Sequence, residues 1–66
     1  MRLTVNGKTH VHKGNATLTA LLKEMKVDGN HVAIMVNDDV VAKNERASIR
    51  LNNGDRIELL MFAGGG

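Results

Sequence analysis

The sequence contains no cysteine, a single aromatic residue (Phe62), and no long apolar run. Without cysteine there are no disulfides and no thiolate metal sites. Any chemistry the chain takes part in uses no side-chain thiol of its own. This composition suits a reducing compartment, and a cytoplasmic location is expected. The opening segment, MRLTVNGK, lacks the apolar stretch of a signal peptide. Nothing approaches the roughly 20 apolar residues of a membrane-spanning helix, so no membrane association is expected.

Charge of one sign is also scarce. Nine Lys and Arg face seven Asp and Glu, leaving a net charge of +2. The basic residues are scattered among acids, and there is almost no aromatic surface on which bases stack. Nucleic acid is therefore not an expected partner. No GxxxxGK[ST] phosphate loop is present, so the chain cannot itself hold a nucleotide triphosphate in that way.

What is present reads as one small domain. Met1, Leu3 and Val5 alternate with Arg2 and Thr4, the period of a strand. Asn6-Gly7 follows, a strong hairpin signal because both residues tolerate positive φ. Residues 8–13 are expected to continue as a second strand with Val11 inward and His10 and His12 outward. Thr17 is placed to cap a helix. Leu18, Leu21, Leu22 and Met25 then form one apolar stripe, with Lys23 and Lys26 in the last turn and Asp28-Gly29-Asn30 as the stop.

Residues 31–36 read as a third strand, with Val32, Ile34 and Val36 on one face and Ala33 and Met35 on the other. Asn37-Asp38-Asp39 is a turn, Val40-Val41 a short strand, and residues 43–48 a polar stretch with room for one helical turn. After the turn at residues 52–55, residues 56–62 form the last strand. Ile57, Leu59 and Met61 share one face; Glu58, Leu60 and Phe62 share the other. The order predicts an α+β fold, a β-grasp roll with a mixed four- to five-stranded sheet packed on one helix, its first and last strands adjacent in the middle. Residues 1–62 are expected to form this domain, and residues 63–66 a flexible glycine tail.

That tail, Gly64-Gly65-Gly66, suits a carboxylate carrier. Glycine adds no bulk, so a terminus made of it can enter a narrow channel. Four residues reach at most roughly 13–14 Å. The carboxylate, with a pKa of about 3.3–3.7, is ionised and a poor electrophile, so it must be activated. Attack on the α-phosphate of ATP achieves this and calls for a separate enzyme. A frayed end is the alternative reading of the same glycines. Ala33, Met35, Leu60 and Phe62 would form a partner-binding surface if the outer face of the sheet is open. If the last strand twists inward, Leu60 and Phe62 are core residues instead.

The helix TLTALLKEM, the segment VAIMVNDDVV, the closing NNGDRIELLMFAGGG and the terminal glycines resemble the ThiS family of thiamin-biosynthesis sulfur carriers over nearly the whole chain. The resemblance implies a protein that is not an enzyme and binds no cofactor. A ThiF-type enzyme would use ATP to adenylate Gly66. Sulfur from a persulfide donor would then give a thiocarboxylate, and thiazole synthase would take the sulfur. Gly65 would keep the tail narrow, and Gly64 is an additional glycine that some members share. The small subunit of molybdopterin synthase and ubiquitin-like modifiers are similar, but no proline precedes the glycines here. A non-carrier β-grasp binding module is the alternative from another class.

Other polar residues have plain readings. His10 and His12 share a strand face, but two ligands without a third make a weak metal site, and solvated histidines are expected. His31 is not evidently near them. Asp38 and Asp39 fall in a turn, where aspartate has backbone reasons to be.

Overall fold

The computed structural model describes residues 1–62; the expected tail, residues 63–66, lies outside the described residues. Its strands are β1 (Arg2–Val5), β2 (Lys8–Val11), β3 (Val32–Val36), β4 (Asp39–Val41) and β5 (Arg56–Met61), with one α-helix, α1 (Leu18–Met25). They form a five-stranded sheet in the order β2-β1-β5-β3-β4. β1 and β5 are parallel and central; the other pairings are antiparallel. This is the β-grasp arrangement expected from the element order.

Local chemistry explains the elements. Asn6 and Gly7 both adopt positive φ, 50° and 80°, the left-handed pair that a two-residue hairpin turn demands. Asn6 does a second job. Its side chain exchanges two hydrogen bonds with the Leu59 backbone: Leu59 N donates to Oδ1 at 2.7 Å and Nδ2 donates to the Leu59 carbonyl at 3.3 Å. The parallel pairing thus continues one step beyond the last residue of β1. Asn37, also at positive φ, grips the start of β5 through the Arg56 N–H at 2.9 Å and Asp55 Oδ1 at 3.0 Å.

Thr17 caps α1, its hydroxyl oxygen accepting the Ala20 N–H at 3.2 Å. The helix closes earlier than expected. Lys26 turns left-handed at φ 58°, and the Val27 N–H reaches the Leu22 carbonyl at 2.9 Å. Asp28-Gly29-Asn30 therefore does not stop α1. Asp28 instead caps a 3₁₀ turn over Gly29–His31 by accepting the Asn30 N–H at 2.9 Å.

The core lies between α1 and one face of the sheet. Leu18, Leu21 and Leu22 of the helix meet Leu3, Val5, Val32, Ile34, Val41, Ile57 and Leu59, with Leu51 beside them, all buried. Ile57 and Leu21 are completely covered.

One strand faces the opposite way from expectation. The two-residue turn pairs Val5 with Lys8 and Leu3 with His10. Cross-strand partners share a face, so the helix side of β2 carries the even-numbered residues. His12, just beyond the strand, is buried at 3% exposure, and Val11 is turned outward at 55%. The expectation of Val11 inward and His10 and His12 outward is thus corrected. Register outranks the preference of valine for the interior because the two-residue turn sets Lys8 and His10 opposite the inward-facing Val5 and Leu3, and turning Val11 inward would require a different turn.

Arg46 is the other buried polar side chain among the described residues. Its Nη1 donates to the Gly29 carbonyl at 2.6 Å and Nη2 to the Val32 carbonyl at 2.7 Å, pinning the 3₁₀ turn to the start of β3. Charge-assisted bonds of this kind contribute about 1.5–3 kcal/mol. Arg46→Ala should lower the urea-denaturation free energy by about that amount. Arg46→Lys should recover only part of it, because an ammonium lacks the planar fork.

Candidate functional site

The outer face of the sheet carries no helix among the described residues. Leu60 and Phe62 are 58% and 53% exposed, so the open-face arrangement holds and neither is a core residue. Ala33 stands directly opposite Leu60, and Met35 opposite Glu58, on the same face. Ala33 is exposed and Met35 half-buried. The structure thus places Ala33, Met35, Leu60 and Phe62 on one face, the first of the two arrangements the sequence leaves open.

Two further apolar residues are exposed near this surface, Val40 on the same face and Met61 on the opposite one. Val40, opposite Met35 in β4, is 76% exposed. Its place follows from the alternation within β4, where Val41 is buried and Val40 must point away. Met61 is 63% exposed although it shares the phase of Ile57 and Leu59. The Phe62 N–H bonds the His31 carbonyl at 3.0 Å, and the two rings meet edge to face at 6.3 Å between centroids. The last described residue is therefore held on β3's side. Arg56 pairs with Asp38 at 2.5 Å near the other end of the strand.

A second polar cluster lies on the helix side, between the β1–β2 hairpin and α1. Glu24 Oε2 is 2.7 Å from His10 Nε2 and 2.9 Å from His12 Nδ1, and its Oε1 accepts the Lys13 N–H at 2.9 Å. His12 Nε2 reaches the Asn15 carbonyl at 2.5 Å. Solvated histidines are thus not what the fold makes of His10 and His12. His31 is separate and bonds Asp28 at 2.8 Å.

Both His12 nitrogens face oxygen acceptors, so the ring satisfies both partners only as an imidazolium. Burial pushes its pKa down, but the Asn15 carbonyl and Glu24 carboxylate outweigh this and leave it raised. Glu24 is held down to about 2, first by the His12 bond, then by His10 and the Lys13 amide. The raised histidine contributes stability that is complete below about pH 6.5 and is lost as pH rises through its higher folded value. The depressed carboxylate contributes stability present above about pH 4.3, lost as pH falls through about 2. In EDTA-containing buffer, thermal midpoints should peak between about pH 4.5 and 6.5. Glu24→Gln should flatten both flanks.

The model of the ThiS family matches residues 2–66 of this chain. The chain belongs to the ThiS family. Two solved structures agree with this membership. The crystal structure of thiamine biosynthesis protein ThiS from Geobacter metallireducens superposes with a TM-score of 0.83 at 35% identity, covering both chains completely. A solution NMR structure of a thiamine biosynthesis protein from the same organism gives a TM-score of 0.80 at 35% identity, covering this whole chain and 88% of the other.

Two curated relatives are thiazole synthases. The one from Paramagnetospirillum magneticum is 38% identical and the one from Magnetococcus marinus 32% identical, each across the full 66 residues. This ThiS-family chain spans about one fifth of the length of either relative, 20% in both cases. The family match includes Gly64, Gly65 and Gly66, whose placement lies outside the described residues. For a ThiS-family chain the exposed apolar end of β5 is notable chemically, because it immediately precedes those glycines in sequence.

Proposed function

We propose that this chain is a sulfur carrier whose terminal glycine, Gly66, is the group acted upon. The observation that carries the proposal is the family match through residue 66 on a chain with no cysteine to bear sulfur otherwise. In this reading the Gly66 carboxylate attacks the α-phosphate of ATP on a ThiF-type enzyme, releasing pyrophosphate. The terminal sulfur of a persulfide then displaces AMP to give an acyl disulfide, and a thiol outside this cysteine-free chain cleaves the S–S bond, leaving a thiocarboxylate on Gly66 and a disulfide on the donor side. Thiazole synthase takes that sulfur for thiazole formation in thiamin biosynthesis. The two thiazole synthase relatives support this choice of recipient, since one of their segments resembles this chain throughout.

The chain is substrate rather than catalyst here. ATP belongs to the activating enzyme, and no group on the carrier needs to move a proton. What the folded residues supply is a handle. Ala33, Met35, Leu60 and Phe62 offer an apolar surface at the root of the tail. Docking that surface offsets the roughly 1–2 kcal/mol lost for each tail residue that is ordered in the partner's channel.

The test is intact-mass analysis after incubation with a ThiF-type enzyme, ATP, a persulfide sulfur donor and excess thiol. The mass should rise by the exchange of one oxygen for one sulfur, mapped to the C-terminal peptide. An unchanged mass with a partner that charges another family member would overturn the reading.

A further inference from the structure

The His10–His12–Glu24 cluster lies away from the surface described above. β5 leaves the sheet at the Asn6-Gly7 end of β1, since Asn6 pairs with Leu59. His12 lies at the other end, where its N–H bonds the Met1 carbonyl at 2.8 Å. The proposed carrier chemistry therefore makes no use of it, and its three side chains demand another explanation.

We propose that His10 Nε2, His12 Nδ1 and Glu24 Oε2 form a structural site for a zinc-type divalent cation, which clips the β1–β2 hairpin to α1. One ligand atom from each of the three residues lies within 4.8 Å of the other two. Around a tetrahedral zinc with bonds of about 2.0–2.1 Å, ligand atoms stand about 3.3–3.5 Å apart. The His–Glu contacts of 2.7 and 2.9 Å need to open by less than about 1 Å to admit the ion. Glu24, whose side chain is 27% exposed, has room to make that shift.

The surroundings match what a zinc ligand set requires. A ligating histidine usually donates its second ring N–H to a carbonyl, which fixes tautomer and orientation. His12 does so: with Nδ1 toward the ion, Nε2–H points at the Asn15 carbonyl. The second Glu24 oxygen is anchored by the Lys13 N–H. His10 and Glu24 are partly exposed, leaving the fourth position to water. On binding, the protons on His12 Nδ1 and His10 Nε2 are displaced, that of His12 to solvent and that of His10 to solvent or to its own Nδ1, and the ion replaces the proton-mediated bonds to the carboxylate. A domain of this size with no disulfide is where such a clip has most effect.

The competing account is a purely proton-mediated His–Glu network. Titration calorimetry of tag-free, chelator-stripped protein with Zn²⁺ separates the two. One ion should bind per chain, with a rise in thermal midpoint that grows with Zn²⁺ concentration. His10→Ala and Glu24→Gln should each weaken binding by about 100-fold or more, beyond the 10–100-fold typical of outer-shell changes. His31→Ala should leave it unchanged. On the wild-type chain, Zn²⁺ should shift the ring resonances of His10 and His12 but not His31, and Co²⁺ should give the intense visible bands of a tetrahedral site. No saturable binding, equal affinity in the His10 variant, or shifts confined to His31 would overturn the proposal. The wild-type spectra decide the matter even if a variant fails to fold.

Discussion

A chain lacking Gly65 and Gly66 should acquire no sulfur at all while melting as the full-length protein does. Under the proposed function the loss is complete because the Gly66 carboxyl group is the one acted upon, and no side chain can stand in for it. Truncation leaves a new carboxylate on Gly64, but set back by two residues, up to roughly 7 Å of extended chain. Misplacement on this scale removes the proximity advantage on which acyl activation depends. Stability should be unaffected because the buried cluster is built from residues between Leu3 and Leu59. Mass spectrometry and thermal denaturation on the same preparation check both halves. Sulfur uptake by the truncated chain, or a large drop in its melting temperature, would contradict the assignment.

Leu60→Asp should weaken productive engagement with the activating enzyme by about 30-fold or more, with the fold intact. Leu60 is 58% exposed, so the change leaves the core untouched. It puts a carboxylate where an apolar contact is needed, beside Ala33 and two positions before Phe62. Central interface residues cost about 2 kcal/mol or more when removed, and burying an unpaired charge adds to that. The effect should appear in KM for the carrier, with kcat at saturation largely kept. Thr9→Asp, on β2 away from the tail's root, is the control and should have little effect. Equal activity for Leu60→Asp and the parent would remove this face from the docking surface.

The β-grasp order was readable because its signals are local and strong. The Thr17 cap, the Leu18-Leu21-Leu22 stripe and the Asn6-Gly7 turn each point to one conformation. The exposure of Leu60 and Phe62 was not readable. An alternating strand with apolar residues on both faces looks the same whether one side or both are covered, and only the single helix decides. Val11 and His12 show a different failure. The hydrophobic preference of valine and the register imposed by Asn6-Gly7 point opposite ways; that turn pairs Val5 with Lys8 and Leu3 with His10 and so places the histidines on the helix side. Even so, sequence alone gave no sign that Glu24 would meet them, because that contact depends on the angle at which α1 crosses the sheet. Arg46 was similarly hidden, being one of nine basic residues until β3 and the 3₁₀ turn present it with two carbonyls.

The central position of β5 bears on how the carrier withstands force. A partner drawing the chain end into a channel pulls along β5, whose backbone is bonded to β1 on one side and β3 on the other. Such a load is shared in shear by both ladders and by the Asn6 clamp at Leu59, rather than peeling bonds one at a time as it would from an edge strand. Under the proposed carrier function, this placement resists a pull on the chain end better than an edge strand would.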